Sequence, residues 1–147
     1  MKADRKCQLE RVWLIDDDGN EETLVRRALK TAELSVSLEV FRSPTEAIRA
    51  LEQHVDGLPG LILCDLKLPG MDGLDFIDWL RSSPFSVIPL VIRSNSSLQK
   101  DVDAAYEHGA NSYIQKGFDI PTVECNFKLL FQYWSTMSMP QVRRPTK

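Results

Sequence analysis

Five consecutive residues, Leu61-Ile62-Leu63-Cys64-Asp65, constrain this chain more than any others. An unbroken apolar run that ends in a carboxylate fits a short strand buried on both faces, the usual setting in a parallel sheet. Leu66-Lys67-Leu68-Pro69-Gly70 follows, and Pro-Gly marks a turn. Asp65 is therefore expected at the C-terminal end of a central strand, where open α/β sheets place their ligands.

The flanking segments alternate in the way such a sheet needs. Arg11–Ile15 (RVWLI) reads as a strand by its β-branched and aromatic content and ends in Asp16-Asp17-Asp18. A helix is expected from about Glu21 to Glu33, then a strand from near Val36 through Phe41. Ser43, Pro44 and Glu46 form a helix start. Beyond Asp65, a helix carries Leu74, Ile77 and Leu80 on one side. Phe85–Ile92 contains a fourth strand, with Pro89 near its start because proline lacks an N–H. A helix over about Leu98–Glu107 stops at Gly109, Asn111–Gln115 is a short fifth strand, and Pro121–Trp134 is the last helix. Five strand–helix units joined by right-handed crossovers predict a doubly wound α/β fold with helices on both faces of a mostly parallel sheet.

Length and charge narrow the function. The 147 residues predict one domain, with a core over about residues 9–134 and an irregular tail at 135–147. That tail is too short for a helix-turn-helix. A net charge of −3 gives no general pull toward nucleic acid or an acidic membrane, and Arg143, Arg144 and Lys147 read as a solvated tail. Cys7, Cys64 and Cys125 are far apart and odd in number, which argues against disulfide or zinc frameworks. Neither a signal peptide nor a long apolar span is seen, so the expected setting is cytoplasmic.

Polar residues gather at the strand ends: Asp16 and Asp17 after the first, Asp65 after the third, Ser94 after the fourth, Lys116 after the fifth. Taken singly, each has a bland reading as a helix-entry acid, a loop hydroxyl or a surface lysine. Together they suggest one site. Clustered carboxylates repel unless a cation neutralises them, and a hard divalent ion, Mg²⁺ or Mn²⁺, suits oxygen ligands. Lys116 offers a point charge to a phosphoryl oxygen and Ser94 a hydroxyl donor. Asp65 can then act as nucleophile and become an acyl phosphate.

LIDDD at Leu14–Asp18, PGLILCDLKLPGMDG at Pro59–Gly73, IPLVIRSNS at Ile88–Ser96 and GANSYIQK at Gly109–Lys116 resemble, in this order, the receiver domain of two-component response regulators. The likeness is greatest to the CheY-like kind that serve phytochrome-type histidine kinases, and it covers about residues 9–134. It implies a five-stranded parallel sheet in the order 2-1-3-4-5. It implies Asp65 as phosphoacceptor, with Asp17 and Asp65 as direct Mg²⁺ ligands, Asp16 holding a metal-bound water and Lys67 contributing its backbone carbonyl. Ser94 matches the hydroxyl that closes on the phosphoryl group. Tyr113 matches the aromatic switch, although a tyrosine in a short strand also reads as half-buried packing. Lys116 matches the site lysine, and a histidine kinase would be the phosphodonor.

Two residues depart from the family pattern. Gly117 stands where proline usually follows the lysine in a cis bond. A cis Lys–Gly bond would cost about 2.5–4 kcal/mol, so trans is expected. Arg93 stands where a small or apolar residue is usual and puts a charge beside Ser94. Met71 reads as a loop cover, and His54 and His108 as surface residues near helix ends.

The last helix is aromatic on more than one face, through Phe127, Phe131, Tyr133 and Trp134, with Leu129 and Leu130. This favours a homodimer through the fourth helix, fifth strand and fifth helix; the alternative is that Met137–Val142 folds back over the rings. A phosphorylation-independent adaptor is the rival function. A phosphatase of another α/β class would want an acid/base Asp where Lys67 stands. A flavodoxin-like cofactor binder would want a phosphate loop where three aspartates stand.

Overall fold

The computed structural model describes residues 9–53, 57–117, 119–137, 140 and 142. Its elements alternate as β1 (Arg11–Ile15), α1 (Gly19–Thr31), β2 (Ser37–Phe41), α2 (Pro44–Gln53), β3 (Leu61–Cys64), α3 (Gly73–Arg81), β4 (Leu90–Ser94), α4 (Gln99–His108), β5 (Ser112–Gln115) and α5 (Ile120–Thr136). The strands form one sheet in the order β2-β1-β3-β4-β5, and every pairing is parallel.

Side-chain alternation divides the core into two layers. Val12, Leu14, Leu61, Leu63 and Val91 face α1 and α5, where they meet Val25, Ala28, Leu29, Phe127 and Phe131. Trp13, Ile15, Ile62, Cys64, Leu90 and Ile92 point the other way, onto Ala47, Leu51, Phe76, Ile77, Leu80 and Ala105 of the remaining helices. All of β3 is buried, as its unbroken apolar run requires.

The boundaries of α1 and the start of β4 differ from the sequence expectation, each for a local reason. Helix α1 starts at Gly19 because Asp18 caps it, accepting from the Asn20 N–H at 2.9 Å. It stops short of Glu33, which turns left-handed at φ 59° while Leu34 N–H closes on the Leu29 carbonyl. Strand β4 begins only at Leu90, since Ser83–Phe85 and Ile88 are taken up in turns (Ser86 N–H to Ser83 O, Ile88 N–H to Phe85 O). Ser94 is consequently the last residue of the strand and not the start of a loop.

Arg81 fixes that strand's entry. Its guanidinium donates to the carbonyls of Gly109, Ser86 and Ile88 at 2.7–2.9 Å and to Asn111 Oδ1 at 2.7 Å. Asn111 Oδ1 also accepts from the Leu90 N–H at 2.8 Å. The end of α3 is thereby tied to the starts of β4 and β5.

Candidate metal and phosphoacceptor site

Strand register brings the predicted residues together. Ile15 pairs with Cys64, so the residues that follow leave neighbouring strands side by side. Asp65 N–H donates to the Ile15 carbonyl at 2.9 Å, and Asp16 N–H to the Phe41 carbonyl at 3.0 Å. Across the sheet Ser94 pairs with Gln115, and Lys116 N–H donates to the Ser94 carbonyl at 2.7 Å.

Asp16, Asp17 and Asp65 each bring a carboxylate oxygen to within 4.8 Å of the others. The buried Lys116 Nζ lies 3.0 Å from Asp16 Oδ2 and 3.1 Å from Asp65 Oδ2. It donates a hydrogen bond to Asp65, while its contact with Asp16 Oδ2 is one of charge, that oxygen being buried without a well-aligned donor. Asp16 Oδ1 is held by the Asp18 N–H at 3.0 Å.

Burial pushes the Asp16 carboxyl up from its ordinary range, against the pull of the Asp18 N–H and Lys116. Burial alone would pull Lys116 down, but Asp16 and Asp65 outweigh it and hold the ammonium above its ordinary value. Three carboxylates against one ammonium leave an excess of negative charge, and one buried oxygen is unbonded. The donor set is all hard oxygen, which fits a divalent cation.

A close approach of backbones holds Asp65 in place. Gly73, the first residue of α3, donates its N–H to the Leu66 carbonyl at 2.9 Å. A Cβ there would lie 2.5 Å from the Asp65 carbonyl oxygen and 2.9 Å from Leu66 Cα. The helix packs down on the strand exit because this residue is glycine.

The buried Ser94 accepts a hydrogen bond at its Oγ from the Ser96 N–H at 3.1 Å. Tyr113 is half-buried against the α3/α4 layer, and its hydroxyl donates to the Ser96 carbonyl at 2.8 Å. Lys67 lies in the loop after β3, its side chain exposed and its Nζ 4.0 Å from Asp101 Oδ1. The structure thus unites Asp16, Asp17, Asp65 and Lys116 directly and links Ser94 to Tyr113 through Ser96.

Arg93 takes a different place from the one its sequence position suggests. Adjacent strand residues point to opposite faces, so its side chain enters the α1/α5 layer and not the surroundings of Ser94. There it is 2% exposed, pairs with Glu21 Oε1 at 2.6 Å and lies over the Phe127 ring at 5.7 Å. No cis peptide occurs among the described residues, so the Lys116–Gly117 bond is trans, as expected. A Cβ at Gly117 would stand 2.8 Å from Thr122 Cγ2, so glycine here lets the first turn of α5 approach the end of β5.

His108 pairs with Asp78 at 2.6 Å on the surface, away from the carboxylates, and Met71 is half-buried in its loop. His54, Cys7, Arg143, Arg144 and Lys147 lie outside the described residues. Sequence reasoning passed over Glu21, Ser96 and Asp101. Glu21 lies 72 positions from Arg93, while Ser96, two residues past Ser94, and Asp101, five beyond Ser96, read as ordinary loop and helix-entry residues.

Residues 12–125 match the response regulator receiver domain model. The chain belongs to that family. NtrC, a DNA-binding transcriptional regulator of Escherichia coli K12, is 30% identical over 141 residues; the match covers 92% of this chain and 28% of that regulator. The receiver therefore spans under a third of that relative. The phosphorylated cyanobacterial phytochrome response regulator RcpA superposes with TM-score 0.80 at 28% identity, covering 90% of this chain and 99% of the other. The Mn²⁺-bound response regulator Rcp1, a Synechocystis protein, gives TM-score 0.77 at 28% identity with the same coverage. The likeness to a metal-bound receiver agrees with the carboxylate cluster and supports divalent-metal binding. The cluster is of the kind that serves metal-dependent self-phosphorylation in receivers. Among the described residues, no helix is long and apolar enough to cross a membrane.

Proposed function

We propose that this receiver accepts a phosphoryl group on Asp65 from a phosphohistidine of a histidine kinase. The observation that carries the proposal is the buried Lys116 ammonium between Asp16 and Asp65, with Asp17 close by. An Asp65 oxygen attacks phosphorus as the P–N bond of the donor phosphoimidazole breaks; the leaving nitrogen keeps the electron pair, and the ring, already protonated on its other nitrogen, departs as neutral imidazole. Lys116 moves its contact from the carboxylate to the phosphoryl oxygens, and the Ser94 hydroxyl donates to another of them. Water later attacks the same phosphorus, returning Asp65 and releasing inorganic phosphate.

Asp17, Asp65 and the Lys67 carbonyl would hold Mg²⁺ directly, and Asp16 would do so through water. Mn²⁺ is the alternative ion. The metal, when bound, offsets charge on the transferring group. Its preference for oxygen ligands and for retaining water favours Mg²⁺ in this role.

We read the chain as one receiver domain that acts in the cytoplasm and signals through its own surface, not by binding nucleic acid. The likeness to the phytochrome response regulator RcpA supports a phytochrome-type kinase as donor. Exposed Leu129 and Tyr133 on α5, beside a groove of about 490 Å³ that reaches Ile114 of β5, support a homodimer through α4, β5 and α5.

The test is incubation with Mg²⁺ and a small acyl-phosphate donor, read by intact mass beside Asp65→Asn. A labile phosphoryl adduct in the parent alone supports the proposal. No adduct on a folded, metal-binding protein overturns it in favour of the adaptor.

A further inference from the structure

We propose that Asp101, in the first turn of α4, is a positioning residue for the phosphoryl-transfer site and acts through Ser96. The inference rests on the reading of Asp65 as phosphoacceptor. Every polar group of Ser96 is engaged. Its N–H donates to Ser94 Oγ at 3.1 Å, and its carbonyl accepts from the Tyr113 hydroxyl at 2.8 Å. Its own hydroxyl donates to Asp101 Oδ2 at 2.5 Å and accepts from the Leu98 N–H at 3.2 Å.

One loop residue therefore ties the site serine to β5 and to α4. The bond to Asp101 is the short, charge-assisted one in this set, and so holds Ser96 most firmly. The other oxygen of the carboxylate faces Lys67 Nζ at 4.0 Å. Asp101 thus reaches both loops that flank Asp65, the one after β3 and the one after β4.

The consequence falls on the proton of Ser94. The Ser96 N–H occupies a lone pair of Ser94 Oγ, and the Ser94 hydroxyl has no acceptor among the described residues. That proton is left for a phosphoryl oxygen on Asp65. Holding Ser96 still keeps the donor aimed before the reaction begins, which is where pre-organisation lowers a barrier. A purely structural Asp101 would do no more than steady the start of α4, whose cap residue, Leu98, has no side chain able to cap. That role would lower stability without selecting the transfer step.

The experiment compares the parent with Asp101→Ala, Ser96→Ala, the double variant and a neighbouring surface control, Lys100→Ala. Ser96 amide and Tyr113 ring resonances are recorded on the unmodified proteins. Phosphoryl uptake from a small acyl phosphate is then measured against donor and Mg²⁺ concentration. Asp101→Ala and Ser96→Ala should each lower the maximal rate about tenfold. The double variant should fall no further, because both changes cut one link. Half-saturation by Mg²⁺ should stay put, and the Ser96 and Tyr113 resonances should move in Asp101→Ala but not in Lys100→Ala. A parental rate in Asp101→Ala, or single effects that multiply in the double variant, would overturn the proposal. If the parent itself takes up no phosphoryl group, the phosphoacceptor reading has failed. The resonances then decide the Asp101–Ser96 link on their own, and unmoved signals would sink it.

Discussion

A methyl group at residue 73 would have to share space with the Asp65 carbonyl and Leu66 Cα, both backbone atoms. Gly73→Ala should therefore cost about 1–3 kcal/mol by overpacking and slow phosphoryl uptake by shifting Asp65. Chemical denaturation and uptake kinetics check the two halves. Arg93 poses the opposite problem, a buried cation with one partner and one orphaned nitrogen. Arg93→Ala strands Glu21 and should cost about 3 kcal/mol, while Arg93→Met with Glu21→Gln should recover most of it. Equal losses in both variants would show that the Arg93–Glu21 pair itself is net stabilising, and that the loss does not come from a stranded Glu21 charge. The chemical residues were legible from sequence because each lies at or just past the end of a strand-like segment. The partners of Arg93 and Tyr113 were not, because Glu21 and Arg93 meet across 72 positions and the Ser96–Tyr113 bond spans 17.

Elements announced themselves where pattern and stop signal agreed. The apolar run of β3, the Gly109 stop of α4 and the proline start of α2 were readable for that reason. The entry to β4 was not, because Phe85 and Ile88 look like strand residues but serve the core from turns, braced by Arg81. Helix α5 was expected to begin at Pro121, but Asp119 caps it by accepting from the Thr122 N–H at 2.8 Å. The Thr122 side chain and, next to it, the Thr122 N–H hold the Asp119 carboxyl below its ordinary value of 3.8. A depressed folded value means that its stabilisation is complete above pH 3.8 and is lost as acid titrates the folded group. Asp119→Asn keeps a capping oxygen and should flatten this part of the acid dependence in denaturation curves. An unchanged acid limb would assign it to other carboxylates.

At the scale of the molecule, the aromatic surplus of α5 divides in two. Phe127 and Phe131 stack in the core at 5.7 Å, whereas Leu129 is 62% and Tyr133 54% exposed. Pro140 and Val142 lie with Leu9, Pro59 and Trp134 around a small cavity at the other end of the sheet from the carboxylates. Among the described residues, the tail thus reaches Trp134 but leaves Leu129 and Tyr133 open. Leu129→Asp with Tyr133→Asp should abolish pairing in sedimentation while leaving phosphoryl uptake unchanged. Pairing that survives would place the interface elsewhere.

The central claim concerns one bond, between phosphorus and an Asp65 oxygen. Its most direct test is to treat the protein with Mg²⁺ and an acyl-phosphate donor, reduce it with borohydride and map the peptides by mass. An acyl phosphate is reduced to the alcohol, so the account predicts homoserine in place of aspartate at residue 65 and nowhere else. Aspartate intact at 65, or homoserine at Asp16 or Asp17 instead, would contradict it.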